Sequence, residues 1–316
     1  MAYDITLKCL FAIYFFLFSA EEVRAKISAV IAFGDSTIDA GNNKLNLAIF
    51  KCNFKPYGQN FKGGKPTGRW SNGRVFADFI SDALGIKSSI PAYLDTNSGI
   101  EDFATGVTFG SGGAGYDNLT STLVGAIPLW KQLEFFKEYK EKLTNFQGEE
   151  KAAKIIREAL YIVSIGTNDF MFNYLTVPIR PLQFNIVNFE ILLAENDGKF
   201  IKDLYNLGAR KIALGGTIPM GCLPFARNLN IQLVYADGYT PLAQMVQTPS
   251  KYGFEEVKVG CCGTGKFEID QLCTLAMALL CKDPTKYMYW DAIHLTDTAN
   301  GLLADSLLKT SLAKLI

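Results

Sequence analysis

Histidine is nearly absent from this chain: among 316 residues there is one, His294. A metal site built on imidazoles is thereby excluded, and no Cys-x-x-Cys pair offers a thiolate alternative, so neither a metal nor a cofactor is expected. Charge of one sign is not in excess either, since Lys plus Arg and Asp plus Glu each number 31. That balance supplies nothing to neutralise a row of phosphates, which argues against nucleic acid and against an anionic membrane surface as partners. Long apolar runs are also missing. The one at residues 9–18 is too short for a spanning helix, which needs roughly 20 apolar residues, and no later stretch is longer. Behind Lys8, and followed by Val23 and Ala25 in a small-x-small arrangement, that run reads as a signal peptide of residues 1–25, leaving a single domain over residues 26–316. The mature protein is expected outside the cell, the cell wall included, with no stable membrane insertion.

What is present fits that compartment. Seven cysteines become six once Cys9 leaves with the signal, and four of them crowd into residues 261–281. An even set in an oxidising compartment points to disulfides. Asn118-Leu119-Thr120 is a glycosylation sequon, which makes Asn118 a candidate glycan site. With 49% hydrophobic residues, the chain can bury a large core.

Short apolar runs at residues 29–33, 160–165, 211–214 and 233–236 each end in turn residues and read as buried parallel strands. Between them lie stretches of helical period. Residues 129–143 place Trp130, Leu133, Phe136, Tyr139 and Leu143 on one stripe, and residues 189–207 repeat the pattern before Gly208. Strands alternating with helices predict an α/β layered fold with a mostly parallel sheet. Residues 53–74, rich in Gly, Pro and Asn, read as a long loop suited to lining a site mouth.

Ser36 follows the first strand, Asn168 the second, and Asp291 with His294 a run at residues 287–290. In a parallel sheet the carboxyl ends of the strands share one rim, where ligands bind. Acyl transfer needs these residue types: a serine hydroxyl as nucleophile, an imidazole to take its proton, and a carboxylate to orient the imidazole. Asp291, three residues before His294, can reach back to Nδ1. The Asn168 amide can donate to a tetrahedral oxyanion. Protonation of the imidazole should suppress turnover below about pH 6. Taken singly, a lone histidine is ordinarily just a polar residue and Gly-Asp-Ser is common in turns; their joint placement at strand ends carries the weight. A rival pattern, Gly110-Ser111-Gly112-Gly113-Ala114-Gly115 with Glu134 beyond, fits a dinucleotide fingerprint, but no convincing helix opens after Gly115.

Phe33-Gly34-Asp35-Ser36, Gly166-Thr167-Asn168-Asp169 and Trp290-Asp291-Ala292-Ile293-His294 together resemble the GDSL (SGNH-hydrolase) esterase/lipase family in its plant extracellular type. Further stretches are similar to the same branch: Ile38-Asp39-Ala40-Gly41-Asn42-Asn43, residues 66–74, Gly221-Cys222-Leu223-Pro224 and Cys261-Cys262-Gly263-Thr264-Gly265. The resemblance implies a flavodoxin-like three-layer α/β/α fold and hydrolysis of carboxylic esters, of lipids or acylated wall polymers, through an acyl-enzyme. It also implies an oxyanion site from the Ser36 backbone, Asn168 and a glycine, with Gly113 and Gly115 as candidates. Ser36 has no Gly-x-Ser-x-Gly elbow around it, so a more open site is expected.

The chain departs from that pattern in two places. Residues 217–232 hold Pro219, Gly221 and Pro224 and leave no room for a good crossover helix, as though one helical region were missing. This puts the pairing of Cys222 in doubt and raises an alternative, an inactive or misfolded shortened form or a non-enzymatic binding protein. Leu295 stands where proline usually follows the histidine, a change expected to loosen His294.

Overall fold

The computed structural model describes residues 27–177, 179–215 and 231–316. The signal-peptide reading and Cys222 lie outside these residues, as does nearly all of the segment at 217–232. Five strands form one sheet: β1 (Val30–Gly34), β2 (Gly106–Thr108), β3 (Leu160–Ser164), β4 (Lys211–Gly215) and β5 (Gln232–Tyr235). Their order is β2-β1-β3-β4-β5, and every neighbouring pair is parallel. Four of these match the apolar runs read from the sequence; β2, only three residues long, gave no such run. β4 and β5 are paired directly, so residues 216–231 make the whole parallel connection between them.

Alternation along the strands makes three layers. Ile31 and Phe33 of β1, with Tyr161 and Val163 of β3, face a core closed by α2 (Asn118–Val124), α3 (Leu129–Gln147), α4 (Glu149–Glu158) and α5 (Ile186–Asn206). Val30 and Ala32, with Leu160, Ile162 and Ala213, face the other core, closed by α1 (Phe76–Ala83) and α7 (Asp297–Lys309). The helix α6 (Tyr239–Gln247) lies beside α7, where Met245 packs with Ala299. Strands buried on both faces read as unbroken apolar runs, which is why β1 and β3 were legible.

The stripe on α3 needs one correction. Trp130 is 53% exposed, whereas Leu129, Gln132, Leu133, Phe136, Tyr139 and Leu143 are buried. Trp130 sits about 100° around the helix from Leu129, off the buried face. Gln132 takes its place for a reason: its Oε1 accepts the Gly34 N–H and its Nε2 donates to the Gly34 carbonyl, both at 2.9 Å, saturating the last residue of β1.

The strand order reverses between β1 and β3, because the chain passes from β1 to β2 on one side and then to β3 on the other. Loops leaving neighbouring strands at such a point diverge and open a crevice at the carboxyl rim.

Candidate active site

Gly34 ends β1 with φ +139, and a Cβ there would lie 1.9 Å from the Ser164 carbonyl oxygen. The chain can therefore press against β3 and turn, and Asp35 N–H donates to Ser164 O at 3.0 Å. Asp35 is buried and points inward, its Oδ1 accepting from the backbone N–H (3.0 Å) and hydroxyl (2.8 Å) of Thr37. Burial raises its pKa to about 6, against the lowering effect of Thr37. Between them, Ser36 is turned to the rim.

Ser36 Oγ lies 2.9 Å from His294 Nε2, across 258 residues of sequence. The other ring nitrogen, Nδ1, lies 2.9 and 2.8 Å from Asp291 Oδ1 and Oδ2. Asp291 is fully buried, and its Oδ1 also accepts the backbone N–H of Ile293 (2.9 Å) and His294 (2.7 Å). Burial acts to raise its pKa. The charge and hydrogen bonds of His294, with a bond from Tyr57, outweigh this and hold the carboxyl below its ordinary value. The Trp70 ring rests against the imidazole, with centroids 4.8 Å apart. Trp290 N–H donates to His294 O at 2.7 Å, and Leu295 packs against the cluster of Met245, Phe254, Met288 and Ala299.

Asn168 lines the same cavity as Ser36 and His294. Asn168, just before a π-helical turn (Asp169–Thr176), directs its amide toward the glycine run, with Nδ2 donating to Ala114 O at 2.9 Å and one hydrogen left over. The glycine candidates separate by bonding. The Gly115 N–H is spent on Ser121 Oγ at 3.3 Å, and those of Gly112 and Ala114 go to Asp39 Oδ2 and Ser111 O, both at 3.0 Å. The N–H groups of Gly113 and Ser36 make no hydrogen bond within the described chain, as an oxyanion site requires of its donors.

Several residues missed as functional hold this loop. Asn42 Nδ2 donates to the carbonyls of Thr108 (3.0 Å) and Gly110 (2.8 Å), and Asn43 Nδ2 to Gly112 O (2.8 Å). Asp169 accepts from Tyr116 N–H (2.8 Å), Asp117 N–H (3.0 Å) and Thr120 Oγ1 (2.6 Å). The only signal of their role was the motif stretches in which they sit. Residues 53–74 do reach the site, through Trp70.

Two disulfides, Cys261–Cys281 and Cys262–Cys273, staple the segment before Asp291. Cys52 is buried and has no disulfide partner among the described residues. Asn118 is exposed at the start of α2. No group of three or more potential metal ligands occurs among the described residues, and none of their helices is long and apolar enough to cross a membrane.

The family model for GDSL-like lipase/acylhydrolase matches residues 30–307. The chain belongs to this family. Among its relatives in Arabidopsis thaliana, GDSL esterase/lipase At2g04570 is 42% identical, covering 96% of this chain and 98% of the relative. GDSL esterase/lipase At2g42990 is 44% identical over 90% and 91%, and GDSL esterase/lipase At4g26790 41% identical over 93% of each. Membership makes the chain a carboxylic ester hydrolase with the α/β fold of the GDSL family. The match to At2g04570 runs over 342 aligned positions, more than the 316 residues of this chain, so that relative carries residues with no counterpart here.

Proposed function

We propose that this GDSL hydrolase cleaves esters with an apolar acyl arm by way of an acyl-enzyme, with Ser36 as nucleophile, His294 as base and Asp291 as its orienting partner. The observation that carries the reading is the 2.9 Å contact between Ser36 Oγ and His294 Nε2, backed by a buried carboxylate on Nδ1. As Oγ attacks the ester carbon, its proton passes to Nε2, and the carbonyl oxygen becomes an oxyanion. Ser36 N–H, Gly113 N–H and Asn168 Nδ2 supply donors to that oxygen. Collapse breaks the carbon–oxygen bond to the alcohol, which leaves with the proton from Nε2. Water then repeats the sequence on the acyl-Ser36 ester and releases the acid.

The substrate class rests on shape. A cavity of about 390 Å³ opens beside Ser36 and His294 and continues between the sheet and α7, lined by Val75, Phe76, Ile162, Ala213, Leu303 and Leu307. From Asn300 to Leu307 its wall follows α7 for roughly 10 Å at 1.5 Å per residue. Such a wall favours an acyl chain of a lipid over the short acyl groups of a wall polymer. With the p-nitrophenyl leaving group fixed, kcat/KM should rise up to about fourfold per added methylene until the cavity is filled, the value expected for burying one methylene. A flat or falling series from acetyl to octanoyl would remove the apolar arm from the proposal.

The compartment is read from residues 1–25 and supported by the two disulfides, which persist in oxidising surroundings. A fluorophosphonate probe, compared between wild type and Ser36→Ala, tests nucleophile and fold together. Labelling is expected in wild type only, and equal labelling of the variant would end the assignment.

A further inference from the structure

Asp291 has a partner that the Ser36–His294–Asp291 line does not include. Its Oδ2 accepts a hydrogen bond from the Tyr57 hydroxyl at 2.7 Å, and the same phenol oxygen accepts the Asp270 backbone N–H at 2.7 Å. With a donor fixed on the oxygen, the hydroxyl proton goes to the charged carboxylate at 2.7 Å, a stronger acceptor than Cys273 Sγ at 3.6 Å. Tyr57 is fully buried, and burial, then the Asp291 charge, push its pKa well above the ordinary tyrosine value, so it remains a donor across the working range.

The surroundings of this phenol are built to hold it. Asp270 Oδ1 accepts the backbone N–H groups of Lys51 (2.9 Å) and Cys52 (2.7 Å). Cys52 (φ +45) and Asp270 (φ +50) are the two non-glycine residues with positive φ among the described ones, and they are hydrogen-bonded to each other beside Tyr57. Strained backbone persists where the surroundings over-determine it, and it concentrates at functional sites. The Cys262–Cys273 disulfide closes the loop that carries Asp270, and Cys273 Sγ lies 3.6 Å from the phenol oxygen.

We propose that Tyr57 is a positioning residue: its hydroxyl holds the Asp291 carboxylate against His294 and takes up part of its charge, and so sets the pH at which the imidazole becomes a usable base. The inference rests on the reading of Ser36, His294 and Asp291 given above. The other titratable groups facing this pair are Asp35 in the turn after β1, Cys52 in the loop before Tyr57, and Asp270 in the disulfide-closed loop. Tyr57 is the one that donates to Oδ2.

Tyr57→Phe keeps the ring and removes the donor. More charge then stays on Asp291, the imidazolium is favoured, and the titration midpoint of the imidazole moves to higher pH. Because His294 is the only histidine, NMR of the imidazole reads that midpoint directly. An upward shift of about half a unit to one unit is expected, with the acid limb of kcat moving the same way. On the plateau, kcat should fall roughly tenfold with KM unchanged. A folded Tyr57→Phe protein whose midpoint does not move would overturn the proposal, whatever its activity, since a merely structural role would lower kcat and leave the titration in place. The NMR titration needs no turnover, so a wild type inactive on esters would count against the proposed reaction alone. Should the variant fail to fold, wild-type protein labelled at the tyrosine ζ-carbons decides: one phenol signal must follow the imidazole titration, and none doing so rejects the role.

Discussion

Gly113 shows how much of this site is backbone. Its φ is +91, and an added Cβ would sit 2.5 Å from Val124 Cγ2. An alanine there would have to shift the N–H group proposed as an oxyanion donor. Gly113→Ala is therefore expected to lower kcat by roughly 100-fold with little change in KM, the loss typical of one oxyanion donor. Steady-state kinetics on a p-nitrophenyl ester would check this; a kcat within a few-fold of wild type would mean that the third donor lies elsewhere. Asn42, Asn43 and Asp169 act at one remove by fixing the carbonyls and N–H groups around that glycine. Sequence reading named Asn168 because its amide suits the chemistry. The residues bonded to the loop were invisible as a group, since their partners are up to 69 positions away.

Among the elements, α1 is fixed in place by a buried fork. Arg69 Nε and Nη2 donate to Asp78 Oδ2 and Oδ1 at 2.8 and 2.9 Å, with both side chains buried. Asp78 also accepts the N–H groups of Val75 and Ile90, so its carboxylate ties α1 to the loops on either side. Arg69→Met would leave that charge buried and uncompensated and is expected to cost about 3–5 kcal/mol. The pair between Arg74, just before this helix, and Asp82 within it is a contrast, because Asp82 is 52% exposed. Asp82→Ala should cost no more than about 1 kcal/mol. Urea unfolding of the two variants tests the ranking, and equal losses would mean that the fork is not what anchors α1. Trp70 and the loop that carries it follow directly on Arg69, so this anchor also bears on the imidazole.

At the scale of the whole molecule, buried acids set the response to pH. Burial raises Asp35, Asp39 and Asp169 to about 6 and Asp197 to about 7. Between about pH 4 and those values the folded chain holds protons that the unfolded chain has released. The stability linked to them is present at low pH and lost as pH rises through the window. Asp291 and Glu268, held below their ordinary values, act in the opposite sense and withdraw their contribution as pH falls below about 4. Thermal stability should therefore peak in mildly acidic solution, between about pH 4.5 and 6, and decline toward pH 8. A melting temperature that climbs steadily from pH 5 to pH 8 would contradict this account.

By itself the sequence determined the class of fold, because β1 and β3 are buried on both faces and leave unbroken apolar runs, while α3 and α5 leave a 3.6-residue period. It also singled out the proposed trio, because a single histidine with an aspartate three residues before it leaves little choice of base and partner. Tertiary structure alone decided which glycine N–H is free, that Trp130 lies outside the core, that Cys52 stays unpaired among the described residues, and that Tyr57 reaches Asp291 across 234 positions. Periodicity and short motifs record what one element does with its own neighbours. Which donor is already spent, and which carboxylate is shared, depends on contacts between distant elements that exist only after the sheet has brought its loops to one rim.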